Sequence, residues 1–575
     1  MDLTKGKKIV WFVILLALLL PVYFRLIRPG FFFMQDDLQA FRIQQVDKCF
    51  MDGQFPCRWV PDAGYGYGYP QFIYYPPLAY YLGEGLHLMG FQFIDAVKAL
   101  FVIGYILSAW GMFLLVSKVV KNRWSGLVSA ILYTYVPYKA VEVYVRGAMS
   151  EFWSLVWFPF LFLFSNELIK ERKLKSFISL SLAVGFQFLT HTLMSMIFFP
   201  VLGLWVVFWL IVEKRKIRDY LTVGFSGLLG VGLASFFVVP MLFERQCVHL
   251  ESMLGGYFDY RAHFVSIGKL LFDFRWGYGS SGFPMEILNL SIGLPQWVLG
   301  VLAFLLAIKN FRKNRTLSLL TILLFLITLF VAFMIHQRSS FIWSLLPALH
   351  FMQFPWRFLS VVIFLLSVLG GMILKFTSEV TEWAPRMVKV FVVLAIVLYA
   401  GFFKPRTWYN ITDTDKFSGE SWQKQQTISI FDYTPIYAKL PPPSKAPEVP
   451  EVLEGKVDFV NYIKGSNWQR GVIKVESDEA VLRLPLFDFP GMLITVDGTK
   501  VDHWHNDCRN EPYCMGLITM KVSKGSREVE ARLTSTWPRK TGDMVSVISW
   551  VTLIVLASAS FLVQWTGGKR VKVGA

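Results

Sequence analysis

The sequence predicts a polytopic α-helical membrane protein with about twelve transmembrane helices and an extracytoplasmic β-sandwich near its C-terminus. Three observations carry this. The 575 residues are 54% hydrophobic and 17% aromatic, with a mean hydropathy of +0.47, a composition outside the soluble globular range. Apolar runs of near-spanning length recur along most of the chain. The formal charge of +17 is gathered into short basic clusters between those runs, such as Lys170/Arg172/Lys173/Lys175, Lys214/Arg215/Lys216/Arg218 and Lys309/Arg312/Lys313/Arg315. That is positive-inside patterning. The charge reports topology and does not mark a nucleic-acid partner.

The candidate spans centre near 9–27, 96–117, 124–137, 152–168, 176–190, 193–212, 221–240, 294–308, 317–335, 357–374, 388–403 and 543–564. The first is read as a retained span. It is too long for a signal-peptide core, ends in Arg25 and Arg28, and lacks a small-x-small cleavage site. If it starts inside, every basic cluster is cytoplasmic, and the connections 28–95, 138–151, 241–293, 336–356 and 404–542 lie outside. Both termini are then cytoplasmic, and the expected location is the plasma membrane. The division is 1–403 transmembrane domain, 404–450 extracytoplasmic linker, 451–542 sandwich, and 543–575 last helix with a basic tail.

The first outer loop holds the leading candidates. Asp36 and Asp37 follow the first span, where carboxylates are costly beside lipid. One is expected as a general base and the other as an orienting group. The bland alternative is that Asp36 caps a short amphipathic surface helix over 38–46, with Gln39 three residues on. Capping favours Asp37 as the free carboxylate. Beyond the helix come Cys49 and Cys57, close enough to bridge, then Arg58. Gly64–Pro70 alternates Gly and Tyr, and Tyr74-Tyr75-Pro76-Pro77 follows. Tyr65 and Tyr75 present aromatic faces suited to sugar rings or to the lipid interface.

Five later candidates sit at predicted outer ends of spans. Arg146 and Glu151 flank Gly147-Ala-Met-Ser150, and either face the acidic pair or pair with each other. His191 separates two apolar runs and is a phosphate donor, a metal ligand or a satisfied turn residue. Gln353 and Arg357 open the tenth span, where an arginine can hold a lipid phosphate or simply snorkel. Arg58 and Arg245 are weaker cations of the same kind. Asn289-Leu-Ser291 and Asn410-Ile-Thr412 match the glycosylation pattern, which recurs by chance.

The soluble block begins after a Pro-rich stretch, Lys439–Pro450. Segments such as Val472–Glu476, Met492–Val496 and Leu517–Val522 alternate with a period near two, broken by Asp-Gly, Lys-Gly and Pro-Gly turns. They predict a sandwich of about 70–80 residues. Cys508 and Cys514 are a second expected bridge, and Cys247 is left over. The sequence carries no P-loop, dinucleotide fingerprint or zinc-spaced Cys/His set.

An acidic pair after the first span, many spans and a trailing extracytoplasmic domain together resemble the GT-C superfamily of integral-membrane glycosyltransferases. More narrowly, Arg58–Pro70 with Tyr75-Pro-Pro77, Arg146–Glu151 and Gln353-Phe-Pro-Trp-Arg357 resemble the prokaryotic membrane family labelled "6-pyruvoyl-tetrahydropterin synthase-related". The resemblance covers roughly 1–400. No pterin-synthase-like zinc site accompanies that label. The GT-C resemblance implies a sugar donor on polyprenyl phosphate or pyrophosphate, used at the outer face. It implies a base at Asp36 or Asp37, and acidic pairs in similar transferases favour Asp36. Glu151 is the implied second acidic group, and in a metal-dependent enzyme Asp36, Asp37 and Glu151 would hold Mg or Mn. Arg146 or Arg357 would hold the phosphate, and one in-line displacement would invert the anomeric centre. The acceptor is an unknown glycan, lipid or protein; no Trp-Trp-Asp stretch points to protein N-glycosylation. Rival classes are a transporter or flippase for lipid-linked glycans and a non-catalytic scaffold.

Overall fold

The computed structural model describes residues 5–282, 287–377, 383–428, 431–505 and 514–570. All twelve apolar stretches fold as helix over most of their length. Among the described residues, seven helices are long and apolar enough to cross a membrane, or eight if one bent pair counts as a span. The expected twelve full crossings are therefore not reproduced. Four stretches form shorter helices: Arg123–Thr134, Leu174–Thr190, Leu294–Lys309 and Trp383–Tyr399, of 12 to 17 residues. At about 1.5 Å per residue they fall short of a hydrocarbon core about 30 Å thick. They pack against longer neighbours, as Arg123–Thr134 does against Phe93–Val120 and Leu359–Thr377.

The Pro355–Thr377 span is central: 89% of its apolar window is buried, against 22% for the first and last spans, which face outward. The bent pair, Ile217–Leu233 and Ser235–Phe243, turns by 76°. Such a break frees backbone groups that hydrocarbon cannot satisfy. Ser546 of the last helix supplies them: its Oγ accepts from Phe236 N at 2.8 Å and donates to Gly232 O at 3.1 Å. A Cβ on Gly232 would lie 2.2 Å from Ser549 Oγ, so the glycine permits this close helix contact.

Residues 38–46 do form a helix, Gln39–Met51, but not a surface one. Most of its residues to Val46 are buried, and its N-cap is Leu38 with no side-chain cap bond. The helix is roofed by described residues of the 404–450 stretch that was expected as an extracytoplasmic linker. Trp408–Tyr409 pairs antiparallel with Phe31–Phe32, Trp422 packs on Phe41 at 5.6 Å, and the Asp413 carboxylate accepts from Phe93 and Ile94 N at 2.7 and 3.1 Å. The last point caps the Phe93–Val120 helix with a carboxylate where the helix dipole favours one.

The C-terminal strands pair as one antiparallel sheet, not as two separate sheets. Its axis is two long strands, Trp468–Phe487 and Leu517–Leu533. The register shifts between Val475 and Glu479. One half of the long pair is flanked by Val457–Lys464 and Met492–Val496, the other by Glu451–Glu454 and His503–His505. The alternating pattern was legible, but irregularities carry strands through the point where separate strands were expected. The sheet ends at Leu533, and the last helix starts at Trp537 rather than near 543.

Candidate functional site

The chain around Asp36 is held by backbone before side chains matter. Gln35 N donates to Val145 O at 2.9 Å, and Asp36 N donates to Arg146 O at 2.8 Å. This lays the acidic segment directly on the turn that carries Arg146. Gly147 follows at φ +68°, and a Cβ there would lie 2.3 Å from Met34 Sδ, so only glycine fits the joint. Residues Glu142–Arg146 form one widened helical turn, a π-type distortion found often at functional sites.

A cavity of about 370 Å³ opens over this joint, within the usual range for small-molecule sites. Asp36 lines it and Asp37 does not. The Asp36 carboxylate accepts from Arg42 Nη1 at 2.9 Å and from Gln39 Nε2 at 2.8 Å. Arg42 is itself braced by the Tyr75 ring, 4.3 Å away. Asp37 turns away and pairs with the buried Lys416 at 2.6 Å. Burial pushes the Asp37 carboxyl up, and the Lys416 charge works against that rise. Thus Asp36 neither caps the helix nor points elsewhere, and Asp37 is not the free carboxylate that capping favoured.

The same cavity is lined by a buried guanidinium–carboxylate cluster. Glu151 accepts from Arg146 Nη1 at 2.9 Å, from Arg357 Nε at 3.2 Å and from the Tyr138 hydroxyl. Arg146 Nη1 also donates to Glu142. Arg357 Nη1 donates to Met352 O at 2.7 Å and to Gln353 Oε1 at 3.1 Å. These bonds leave Arg146 Nε and Nη2, and Arg357 Nη2, without a hydrogen-bond partner among the described residues. Arg146 stacks over Trp356 at 4.5 Å. The Trp356 indole N–H and the Ser150 hydroxyl, both in cavity-lining residues, are buried and unpartnered. Buried donors of this kind cost about 1–3 kcal/mol each unless a ligand or water meets them. Gln353 sits at φ +59°, a strained conformation for a residue with a Cβ.

His191 also lines the cavity. Its Nδ1 accepts from Met194 N at 3.3 Å, which leaves the proton on Nε2. Burial, with Arg357 adding to it, pushes the imidazole down to about 3, so the ring is a neutral donor. Of the predicted residues, the structure therefore gathers Asp36, Tyr75, Arg146, Glu151, His191, Gln353 and Arg357 at one cavity. Arg58 goes elsewhere: it pairs with Asp543 at 2.5 Å and bonds Phe236 O, fastening the first loop to the last helix. Tyr65, at φ +57°, is stitched by its backbone to Gln426 and Ala446. The Cys49–Cys57 disulfide is formed; the expected Cys508–Cys514 bridge lies outside the described residues. Cys247 is free.

A family model described as "6-pyruvoyl-tetrahydropterin synthase related domain; membrane protein" matches residues 72–405, more than half of the chain. The chain belongs to that family. An uncharacterised protein of Lactococcus lactis subsp. cremoris is 24% identical over 211 residues, about a third of each chain. Among solved structures, the mycobacterial arabinofuranosyltransferase AftD aligns at a TM-score of 0.44 and 16% identity, covering 72% of this chain and 28% of its own. The archaeal oligosaccharyltransferase AglB from Archaeoglobus fulgidus, solved with an inhibitory peptide and dolichol-phosphate, aligns at 0.41 and 13%, covering 77% and 61%. ArnT from Cupriavidus metallidurans, bound to undecaprenyl phosphate, aligns at 0.35 and 11%, covering 69% and 64%.

The family segment contains the Arg146–Glu151 and Gln353–Arg357 wall but neither Asp36 nor the roof from 404 onward. The structure does not fit the expected Mg or Mn set of Asp36, Asp37 and Glu151. Each carboxylate already carries a cation of the protein (Arg42, Lys416, and Arg146 with Arg357), and Asp37 faces away. Among the described residues no three His, Cys, Asp or Glu side chains converge as metal ligands. Sequence reading missed Glu142, Asp432 and Tyr433. Glu142 was findable as the residue four before Arg146, one helical turn away. Nothing local marks Asp432 or Tyr433, which reach the cavity only through the roof.

Proposed function

We propose that this protein is a glycosyltransferase of the cell's plasma membrane. It would take a sugar from a polyprenyl-phosphate donor at the outer face, with both termini cytoplasmic. One observation carries the reading: Asp36 lines the same cavity as two arginines, Arg146 and Arg357, that Glu151 holds in place. A carboxylate base beside an anion clamp is what sugar transfer from a lipid phosphate requires.

The sequence of events follows from the residues. Arg146, Arg357 and the neutral His191 bind the donor phosphate, and the Trp356 N–H and Ser150 hydroxyl are further donors to it. Charge-assisted bonds to a phosphate are the strong ones. The acceptor hydroxyl lies against Asp36 and gives up its proton to that carboxylate. The acceptor oxygen forms the new bond to the anomeric carbon as the bond from that carbon to the phosphate oxygen breaks, so the centre inverts. The electron pair leaves on the phosphate, already anionic and stabilised by the arginines, so no acid is needed on that side. Glu151 and Glu142 keep the guanidiniums fixed, so no reorganisation is needed as charge moves.

The test is made in cells that carry the protein, by mass spectrometry of envelope glycans with wild type, with Asp36→Asn and with the gene deleted. Wild type should make a product that the deletion and Asp36→Asn both lack. Full product from a well-expressed Asp36→Asn protein would end the base assignment. A flippase would keep its product in that variant.

A further inference from the structure

Resting on the transferase reading above, we infer that a second cavity beside the first is the distal part of the acceptor site, and that it holds an uncharged oligosaccharide beyond the hydroxyl that reacts. This cavity, of about 530 Å³, lies where four parts of the chain meet. Lys48 comes from the end of the Gln39–Met51 helix, Gln426 from the roof, Lys445 from the Pro-rich stretch and Ser466 from the sheet domain. It shares two supports with the cavity of Asp36. Arg42 lines the first and Lys48 the second, about 9 Å apart along one helix at about 1.5 Å per residue. Ile428 lines the first and Gln426 the second, within about 7 Å even at full extension. A glycan chain that ends at Asp36 needs only a short length to reach it.

The lining is charged but balanced, with three lysines and three carboxylates. Lys48 pairs with Asp62 at 2.5 Å and Lys445 with Glu448 at 3.0 Å. Asp52 accepts from Ser466 N and Oγ, each at 2.7 Å, and Lys464 donates to Pro447 O. With formal charges cancelled, the cavity favours neither an anion nor a cation. An ammonium carries three donors, so these lysines keep spare N–H groups. Gln426 is 3% exposed, and its side-chain amide has no hydrogen-bond partner among the described residues. A buried amide in that state is unfavourable until a ligand or water meets it. Spare ammonium donors beside carboxylate and amide oxygens suit hydroxyl groups, each of which both donates and accepts. The Gly-Tyr repeat frames the site. Tyr65 N donates to Gln426 O at 3.1 Å, and Ala446 N donates to Tyr65 O at 2.9 Å, so one residue ties the roof to the Pro-rich stretch. Gly64 and Gly66 flank it at φ +62° and +84°, a turn that glycine takes without strain. Every residue lining this cavity lies outside residues 72–405, so the site is separate in sequence from the phosphate clamp.

The experiment separates this cavity from the clamp. Full-length protein in nanodiscs is applied to an array of neutral linear hexasaccharides of glucose, mannose and galactose, with the matching monosaccharides, a hyaluronan hexasaccharide and a serine–glycine peptide as controls. Undecaprenyl phosphate binding is read by native mass spectrometry, and the same variants are expressed in deletion cells for glycan analysis. Wild type should hold at least one neutral hexasaccharide at least tenfold more tightly than its monosaccharide, the hyaluronan or the peptide. Gln426→Leu and, separately, Lys464→Met should each weaken that binding about fivefold, as the loss of one hydrogen bond does. Both should bind undecaprenyl phosphate within about twofold of wild type and lower the glycan product. The inference is overturned if no neutral hexasaccharide binds, if hyaluronan or the peptide binds as tightly, or if both variants leave hexasaccharide binding unchanged. If wild type binds no undecaprenyl phosphate and deletion alters no glycan, the transferase reading itself falls, and the acceptor role of this cavity falls with it.

Discussion

Asp36 and Asp37 are adjacent and chemically identical, yet the structure gives them opposite duties, and this is the sharpest point to test. Asp37 bonds Lys416 at 2.6 Å, with the lysine 4% and the aspartate 35% exposed. A charge-assisted bond contributes about 1.5–3 kcal/mol. With a third of Asp37 open to water, screening brings this to about 1–2 kcal/mol. Asp37→Asn should therefore lower thermal stability in detergent and reduce glycan product by no more than about thirtyfold, the most that 1–2 kcal/mol of lost positioning transmits. Lys416→Met should cost a similar amount, and Asp37→Asn with Lys416→Met should cost less than the sum, because neither charge is then left alone. Asp36→Asn removes the base itself. General-base catalysis contributes about 10²–10⁴ in rate, or about 3–5 kcal/mol in the barrier. The assay is product formation in deletion cells, normalised to folded protein by fluorescence-detected chromatography. If Asp37→Asn abolishes product at wild-type stability while Asp36→Asn retains it, the assignment is wrong.

Three further outcomes follow from the same geometry. Arg357→Lys keeps the charge but loses the fork that serves Glu151, Gln353 and the cavity at once, so affinity for undecaprenyl phosphate should fall about tenfold to a hundredfold; unchanged affinity by native mass spectrometry would remove Arg357 from the clamp. Gly68→Ala places a Cβ 2.1 Å from Trp59 Nε1 at φ +83°, so the thermal unfolding temperature should drop, by overlap and backbone strain together worth about 2–4 kcal/mol. His191 resists protonation to about 3 while an unfolded imidazole takes its proton near 6.5. Stability from this group is therefore present above about pH 6.5 and is lost as pH falls towards 3. His191→Asn should be less acid-sensitive than wild type between pH 7 and 4, and the activity profile between pH 5 and 8 should carry no limb that this variant removes.

By itself the sequence determined what depends on local pattern. Long apolar runs bury themselves as helices wherever they lie, so all twelve stretches are helical, and period-two alternation gave strands at the C-terminus. Carboxylates and arginines beside apolar runs are costly enough to need partners, and of those singled out on that ground Asp36, Arg146, Glu151 and Arg357 meet at one cavity. Only the tertiary structure decided which neighbours cancel which charges. Lys416 lies 379 positions from Asp37, and no local rule foretells that it claims Asp37 and leaves Asp36 to the cavity. Arg58 was drawn off by Asp543 for the same reason, and Asp432 was supplied by a stretch that reads as a linker. The number of full crossings also depends on packing, because a helix too short for the bilayer is tolerated once longer helices enclose it. Periodicity records what each segment must hide, whereas an ionic partner is chosen by whatever the folded chain brings within about 3 Å.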